Sequence, residues 1–112
     1  MIKLKRIYEP YNKKDGYRML VDRLWPRGVS KERAHLDIWL KDIAPSTELR
    51  RWFSHDPKKW AYFKKKYQTE LKKNKEAVLT LKQAKKKHST ITLLYGAKDE
   101  THNEAVVIKD SF

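Results

Sequence analysis

Polar side chains that can bind an anion lie at the end of YRMLVDRL (17–24), a segment rich in strand-forming apolar residues. Asp22 and Arg23 lie within its last residues, and Trp25 and Arg27 follow directly. Guanidinium groups bind phosphate or carboxylate through paired hydrogen bonds. Asp22 is either a general base or the carboxylate that holds one of the arginines. The stretch therefore predicts a site for an anionic ligand.

A second group of polar residues follows STITLLYG (89–96), the segment with the clearest strand pattern in the chain. Lys98 and Asn103 can bind an anion, whereas Asp99 and His102 can move protons. Ligands of open α/β sheets bind beyond the carboxyl ends of the strands. If the two strands are parallel, both polar groups are therefore expected at one edge of the sheet.

The predicted pocket combines these residues with others from the helical region between the two strands. Its members are the catalytic candidates Asp22, Asp99 and His102, the anion-binding candidates Arg23, Arg27, Lys98, Asn103, Arg50 and His55, and the wall residues Trp25 and Tyr95. Structural alternatives exist for several of them. Asp22 and Arg23 are also compatible with an ion pair that only stabilises the fold. Trp25 is also compatible with the core, and His102 with an exposed loop.

The segment IKLKRIY (2–8) has the pattern of a further strand, half-buried and near an edge of the sheet. Its connection to the strand that begins at Tyr17 is shorter than the dozen or more residues that a parallel crossover normally needs. The position of Arg6 and Tyr8 relative to the pocket is therefore left open.

Helical patterns occupy most of the chain between residues 30 and 88. Ser30 is expected to cap a helix that carries Leu36, Trp39, Leu40 and Ile43 on one face. Three more helices are predicted, each after its own cap. The helix after Ser46 has Leu49, Trp52 and Phe53 facing inward, and the helix after Asp56 has Trp60, Phe63, Tyr67 and Leu71. The helix after Asn74 has Val78, Leu81 and Ala84 facing inward.

A closing helix capped by Thr101 or Asp99 would place Ala105, Val106 and Ile108 inward, although AVVI suits a strand equally well. Together these elements predict an α/β fold in a single compact domain spanning 1–112. The expected sheet has three to four strands, largely parallel or mixed, with about four to five helices around it.

Lysines dominate the charge of the helical region. Residues 58 to 88 contain twelve lysines but only two acids, Glu70 and Glu76, and so carry +10 of the net charge of +13. A basic face of this kind attracts nucleic acid through its phosphates. Its members would include Lys64, Lys65, Lys66, Lys72 and Lys73. A solvated helix face without a partner is the structural alternative.

Several classes of chemistry are excluded by composition. The chain has no cysteine, which removes disulfides, thiolate catalysis and cysteine-ligated zinc. Its four histidines are scattered, so no metal site is predicted, and no glycine-rich phosphate loop points to a cofactor. The N-terminal residues lack the apolar run of a signal peptide, and no segment is long and apolar enough to cross a bilayer. A cytoplasmic protein without a membrane partner is expected.

Four stretches of the chain together carry a family resemblance: DGYRMLVDRLWPRG, APSTELRRWFSHDP, WAYFKKKYQTEL and TLLYGAKDETHNEAVV. In this order they resemble, nearly end to end, the YeaO-like branch of a large bacterial family classed as a domain of unknown function. The resemblance implies a small α/β domain in a cytoplasmic bacterial protein and brings no established activity. The family pattern falls on Asp22, Arg23, Trp25, Pro26, Arg27, Gly28, Ser46, Leu49, Arg50, His55, Asp56, Tyr95, Lys98 and Asn103.

Three functions remain open at this point. The first is an anion-binding pocket for a phosphorylated small molecule, a nucleotide or a nucleic-acid phosphate, with catalysis undecided. The second is a noncatalytic nucleic-acid-binding module that uses the lysines of residues 58–88. The third is a protein-interaction domain, which would show an exposed apolar patch. Neither the substrate nor the oligomeric state is predicted.

Overall fold

Four strands form one sheet in the computed structural model, which describes residues 1–112. They are β1 (Ile2–Arg6), β2 (Tyr17–Leu20), β3 (Ile38–Trp39) and β4 (Ile91–Tyr95). Their spatial order is β1-β4-β2-β3, and every neighbouring pair is parallel. The predicted α/β class is confirmed, with a sheet that is parallel throughout. All four strands therefore direct their carboxyl ends to one edge.

Five α-helices surround the sheet: α1 (Lys31–Ala34), α2 (Thr47–Phe53), α3 (Trp60–Lys73), α4 (Lys75–Lys87) and α5 (Glu104–Ser111). Short 3-10 turns occupy Lys13–Asp15, Lys41–Ile43 and Pro57–Lys59. The larger part of the core includes residues of α2 to α5 and one side of the sheet, with Tyr67, Leu81 and Leu93 fully buried. A smaller core contains Leu20 and Leu94. None of the helices is long and apolar enough to cross a membrane.

The connection between β1 and β2 explains how they run parallel without a helix between them. Only residues 7–16 join the two strands, and β4 lies between them in the sheet. The connection has to return along the sheet by about 16 Å and step sideways by about 10 Å, which roughly ten extended residues can span. Arg6 pairs with Tyr95 at the carboxyl edge of the sheet. This settles the position of Arg6, which the sequence left open.

The helix predicted from Ser30 to Ile43 is wrong beyond its first turn. Ser30 does cap α1, since its Oγ accepts the Arg33 N–H at 3.1 Å. His35 then adopts the left-handed conformation, with φ of 46°, and the helix ends. The chain turns into β3 and pairs with β2, because the backbone of residues 37–40 finds hydrogen-bond partners there. The helical spacing of the apolar residues in this segment is coincidental.

The next three predicted helices are confirmed, with two local differences. Ser46 caps α2, and Asp56 caps the 3-10 turn that leads into α3. Asn74 separates α3 from α4, but its side chain donates to the Asp42 carbonyl and caps neither helix. Trp52 was expected to face inward and is instead 40% exposed.

The closing helix α5 settles the alternative between helix and strand for AVVI. Its cap is Asn103, whose Oδ1 accepts the Val106 N–H at 3.2 Å. The predicted caps Thr101 and Asp99 are therefore wrong. Both lie in the preceding loop, where the Asp99 carboxylate accepts the Thr101 N–H.

A buried ionic cluster lies toward the amino-terminal side of the sheet. Arg18 is 1% exposed; its guanidinium pairs with Asp15 and donates to the Ala34 and His35 carbonyls at 2.9 and 3.0 Å. Lys5 Nζ lies 3.1 Å from Asp15 Oδ2. Burial alone would raise the pKa of Asp15, but hydrogen bonds from Lys5 and Arg18 hold the pKa below its ordinary value. The cluster joins β1, β2 and the end of α1.

Candidate functional site

A cavity of about 270 Å³ opens beyond the carboxyl ends of β2 and β4. It joins the turn after β2 to the loop after β4, the two regions in which the sequence predicts a pocket. Its lining consists of Tyr8, Asp22, Arg23, Leu24, Trp25, Ala44, Pro45, Arg50, Phe53, His55, Phe63, Gly96, Ala97, His102, Asn103 and Glu104. Cationic, acidic and aromatic side chains thus meet in one space.

Asp22 is anchored at the cavity by a backbone N–H and a side-chain N–H from two other segments. Its Oδ2 accepts the Gly96 N–H at 2.9 Å, and its carbonyl accepts the Trp39 Nε1–H at 2.7 Å. A Cβ at Gly96 would lie 3.0 Å from Oδ2, which is closer than ordinary contact. Glycine at this position therefore allows the carboxylate to approach the end of β4. Asp22 forms no ion pair with Arg23.

Arg23 joins the turn after β2 to the segment before α2 and keeps part of its guanidinium free. Nε and Nη2 donate to the Pro45 carbonyl at 3.3 Å, and Nη2 also donates to the Ala44 carbonyl at 3.1 Å. Nη1 makes no hydrogen bond within the protein. An arginine positioned in this way can donate from Nη1 to an anion without losing its own support.

Arg50 and His55 supply further potential positive charge to the cavity. Arg50 lies on α2 one helical turn before Phe53, and both residues line the space. His55 follows the helix with φ of 56°, so the chain turns back toward the cavity there. Both polar side chains are exposed and make no hydrogen bond in the protein, which leaves them free for a ligand.

Glu104 brings a second carboxyl group beside Asp22. Burial raises the pKa of Glu104 well above its ordinary value, and the hydrogen bond and negative charge of Asp22 raise it further. The pair therefore holds a proton at pH values where an isolated glutamate has lost one. Glu104 was not among the residues predicted from the sequence. The available signal was Asn103 followed by an acid, the pattern of a helix cap and first turn.

We expect Glu104 to make the free energy of unfolding fall as pH rises. Native Glu104 keeps its proton above pH 4.5, its ordinary pKa, whereas the unfolded chain releases it. The free energy of unfolding therefore decreases with pH until native Glu104 ionises. Glu104→Gln stays neutral, so its stability relative to the wild type should increase with pH. Urea midpoints between about pH 4.5 and about pH 8 measure this, with the exposed Glu48→Gln as control. Parallel curves for Glu104→Gln and the wild type would contradict the prediction.

His102 lines the cavity and is held in place by Asp99. Asp99 Oδ2 lies 2.9 Å from His102 Nδ1, while Oδ1 accepts the backbone N–H groups of Thr101 and His102. The bond from the Thr101 backbone contributes most to lowering the pKa of Asp99 to about 2. Because Nδ1 is bonded to Asp99 and Nε2 has no partner, exchange of a proton with a ligand would occur at Nε2.

Not every predicted pocket residue lines the cavity. Arg27 is exposed, and only its carbonyl is engaged, as acceptor of the Tyr8 hydroxyl at 3.1 Å. Lys98 is exposed and makes no hydrogen bond. Tyr95 is buried in the larger core. Asn103 reaches the cavity wall, but its side chain is used by the α5 cap and by a bond to the Asp99 carbonyl.

Trp25 takes both of the positions that the sequence allowed. Its ring packs against the smaller core and contacts Trp39 edge-on, with ring centroids 5.3 Å apart. The same side chain lines the cavity, and its Nε1–H donates to the Val29 carbonyl at 2.7 Å. The wall of the cavity is thus continuous with the hydrophobic core, which gives it a fixed shape.

Two surfaces outside the cavity bear on the alternative functions. Of the twelve lysines in residues 58–88, only Lys64 pairs with an acidic side chain, that of Asp110 at 3.6 Å. An open hollow of about 740 Å³ lies between α3 and α4 near Phe112, with Leu71, Val78 and Leu79 among its residues. This hollow is an apolar surface of the kind that a protein-interaction domain would show, and that function stays a prediction.

Comparison with known proteins shows a match over the whole chain. The profile of a family described as the inactive DUF488-N3 subclade (DUF488-N3i) matches residues 1–112. The uncharacterised protein YeaO of Escherichia coli K12 is 46% identical over 109 residues, which is 97% of this chain and 94% of that protein. The uncharacterised protein Rv3073c of Mycobacterium tuberculosis H37Rv is 46% identical over 70 residues, 62% of this chain and 59% of that protein. No solved structure matches.

Proposed function

The chain belongs to the inactive DUF488-N3 subclade, of the YeaO-like kind, and from this premise we propose that its cavity binds a small phosphorylated ligand without turning it over. The description of the subclade as inactive supports binding rather than catalysis. It also agrees with the absence from the sequence of a glycine-rich phosphate loop and of a nucleophile elbow.

The observation that carries the proposal is the set of unengaged nitrogen groups at one cavity, from two arginines and a histidine. Arg23 offers Nη1, and the Arg50 and His55 side chains have no partner in the protein. Arginine binds phosphate through charge-assisted hydrogen bonds, and a ring N–H of histidine can donate to phosphate as well. Lysine, by contrast, does not line the cavity, so the basic surface of the protein is separate from this site.

Cavity size and lining narrow the ligand class. Ligand pockets measure roughly 300–1,000 Å³, and a cavity of about 270 Å³ suits a mononucleotide or a similar phosphomonoester rather than a dinucleotide. Trp25 and Phe53 provide apolar surface for a base or sugar. The carboxyl pair of Asp22 and Glu104, which retains one proton, keeps a negative charge that would repel a phosphate, while its oxygens can accept hydrogen bonds from base N–H or sugar hydroxyl groups. We therefore expect a bound ligand to direct its phosphate to the arginines and its organic part to the carboxyl pair.

Calorimetric titration with inorganic phosphate and the four common ribonucleoside monophosphates tests the proposal. We expect at least one mononucleotide to bind more tightly than phosphate, and to be recovered unchanged. Arg50→Gln should weaken binding by roughly tenfold to a hundredfold, because one charge-assisted hydrogen bond is lost. Arg51→Gln is the matched control, since this neighbour on α2 does not line the cavity. Absence of binding by every probe, or equal loss in both variants, would show the proposal to be wrong.

A second candidate function is nucleic-acid binding through the lysines of residues 58–88. Its specific support is that eleven of these twelve lysines have no acidic partner and that Lys65, Lys66, Lys72 and Lys73 are exposed on α3. A polyanion would release its counterions on binding such a face, with a strong dependence on salt. Binding of this kind would not respond to Arg50→Gln, which distinguishes it from the cavity.

A further inference from the structure

Two exposed aromatic side chains form a pair on the surface between α2 and α3. Trp52 is 40% exposed and Tyr62 is 53% exposed, and their ring centroids lie 4.8 Å apart at an interplanar angle of 55°. We call this pair the aromatic platform. Trp52 lies on α2 but does not line the cavity, unlike Arg50 and Phe53 on the same helix. The platform is therefore a surface separate from the proposed ligand pocket.

A lysine ammonium group lies over each of the two rings. Lys59 Nζ is 4.9 Å from the Trp52 ring centroid and donates to the Trp52 carbonyl at 2.8 Å. Lys66 Nζ is 5.4 Å from the Tyr62 ring centroid. Each ring thus has a positive charge at the distance of a cation–π contact. Ring surface and positive charge occur together here, a combination that the sequence analysis did not identify.

The platform continues into a row of lysines along α3. Lys65, Lys66, Lys72 and Lys73 follow Tyr62 at spacings that place them on one side of the helix, over a length of about 17 Å. Glu70, the only acid on α3, is engaged elsewhere: its two carboxylate oxygens accept the Ser46 N–H and hydroxyl at 2.8 and 2.6 Å. No carboxylate of α3 therefore interrupts the row.

We propose that this surface binds single-stranded nucleic acid, with bases stacked on Trp52 and Tyr62 and phosphates along the lysines of α3. The inference rests on the second candidate function and names its ligand class. Base stacking on aromatic side chains requires a free base face, which a single strand offers and a duplex does not. The lysines neutralise the phosphates, and their local excess of charge favours a polyanion over an acidic protein segment of few charges.

Fluorescence anisotropy at about 50 to 200 mM salt tests the inference. The labelled probes are oligothymidylate, oligouridylate and duplex DNA of about twelve nucleotides. Trp52→Ala is expected to weaken binding of both single strands about tenfold, with an unchanged salt slope. Lys65→Ala with Lys66→Ala should reduce the salt slope by about 1.4, the share of two phosphates. The matched control, Lys85→Ala with Lys86→Ala, removes equal charge from the end of α4 and should leave the slope nearly unchanged. Thermal melts check that Trp52→Ala remains folded.

The outcomes distinguish base stacking on the aromatic platform from nucleic-acid binding through the lysines alone. Loss of binding in Trp52→Ala on either single strand supports the inference, and a preference between the two strands identifies RNA or DNA as the natural partner. If Trp52→Ala binds like the wild type, and duplex and single strands respond alike to the lysine variant, base stacking on the aromatic platform is contradicted. Nucleic-acid binding through the lysines of residues 58–88 then stands alone. If no nucleic acid binds at low salt, both are overturned. Restored binding in Trp52→Phe would attribute the loss to stacking.

Discussion

Arg18→Met is expected to lower the free energy of unfolding by about 3–5 kcal/mol, because it removes the more deeply buried of the two cations that pair with the buried Asp15 carboxylate. The same change removes the donors that hold the Ala34 and His35 carbonyls at the end of α1. Small domains have about 5–15 kcal/mol of stability in total, so a substantial part of it would be lost. Urea unfolding followed by circular dichroism measures the difference.

The control for this prediction is Lys3→Met, on β1 and outside the ionic cluster. Lys3 donates only to the Lys14 carbonyl at 3.2 Å, so its loss should cost less than about 1 kcal/mol. Combining Arg18→Met with Asp15→Asn should recover part of the stability, since the carboxylate that has lost its buried arginine partner is then neutral. A loss of less than about 1 kcal/mol for Arg18→Met alone would contradict the account of the cluster.

Gly16→Ala is expected to cost about 3 kcal/mol or more, for two separate reasons. Gly16 has φ of +67°, a conformation that a residue with a side chain rarely adopts. A Cβ there would also lie 2.3 Å from the Thr90 carbonyl oxygen, and backbone cannot move aside as a side chain can. The substitution would separate the turn from the start of β4. Faster amide exchange at Tyr17, which donates to that carbonyl at 3.0 Å, would accompany the loss.

Gly28→Ala separates the two causes. Gly28 has a similar φ of +74°, but no atom lies within 4 Å of an added Cβ. Its expected cost is therefore conformational alone, about 1–2 kcal/mol. Equal losses in Gly16→Ala and Gly28→Ala would mean that the contact with Thr90 contributes nothing.

The fold was predictable where the signal is local. The apolar run of β4 and the caps Ser46 and Asp56 act within a few residues, and the sequence located all three. β3 was not predictable, because Ile38 and Trp39 become a strand through pairing with β2. The end of α1 at His35 likewise depends on Arg18, a residue far from it along the chain. Tertiary contacts of this kind override local spacing.

The site was predictable to the extent that it follows from strand direction. Asp22, Arg23 and His102 reach the cavity because parallel strands end at one edge. Arg27 does not, since the turn after Trp25 leaves its side chain exposed on the surface. Glu104 was missed because its environment comes from folding: an acid in a first helical turn usually faces water, and only the packing of α5 brings it to Asp22.

β4 lies between β1 and β2, yet it is made last of the four strands. Ile2 pairs with Ile91, so this contact joins residues that are 89 positions apart along the chain. A ribosome-bound chain that stops before Ile91 has β1 and β2 without the strand that joins them. The sheet can therefore assemble only after β4 has been made, and such long-range pairing slows folding. Until then the apolar strands stay exposed to aggregation and to chaperones.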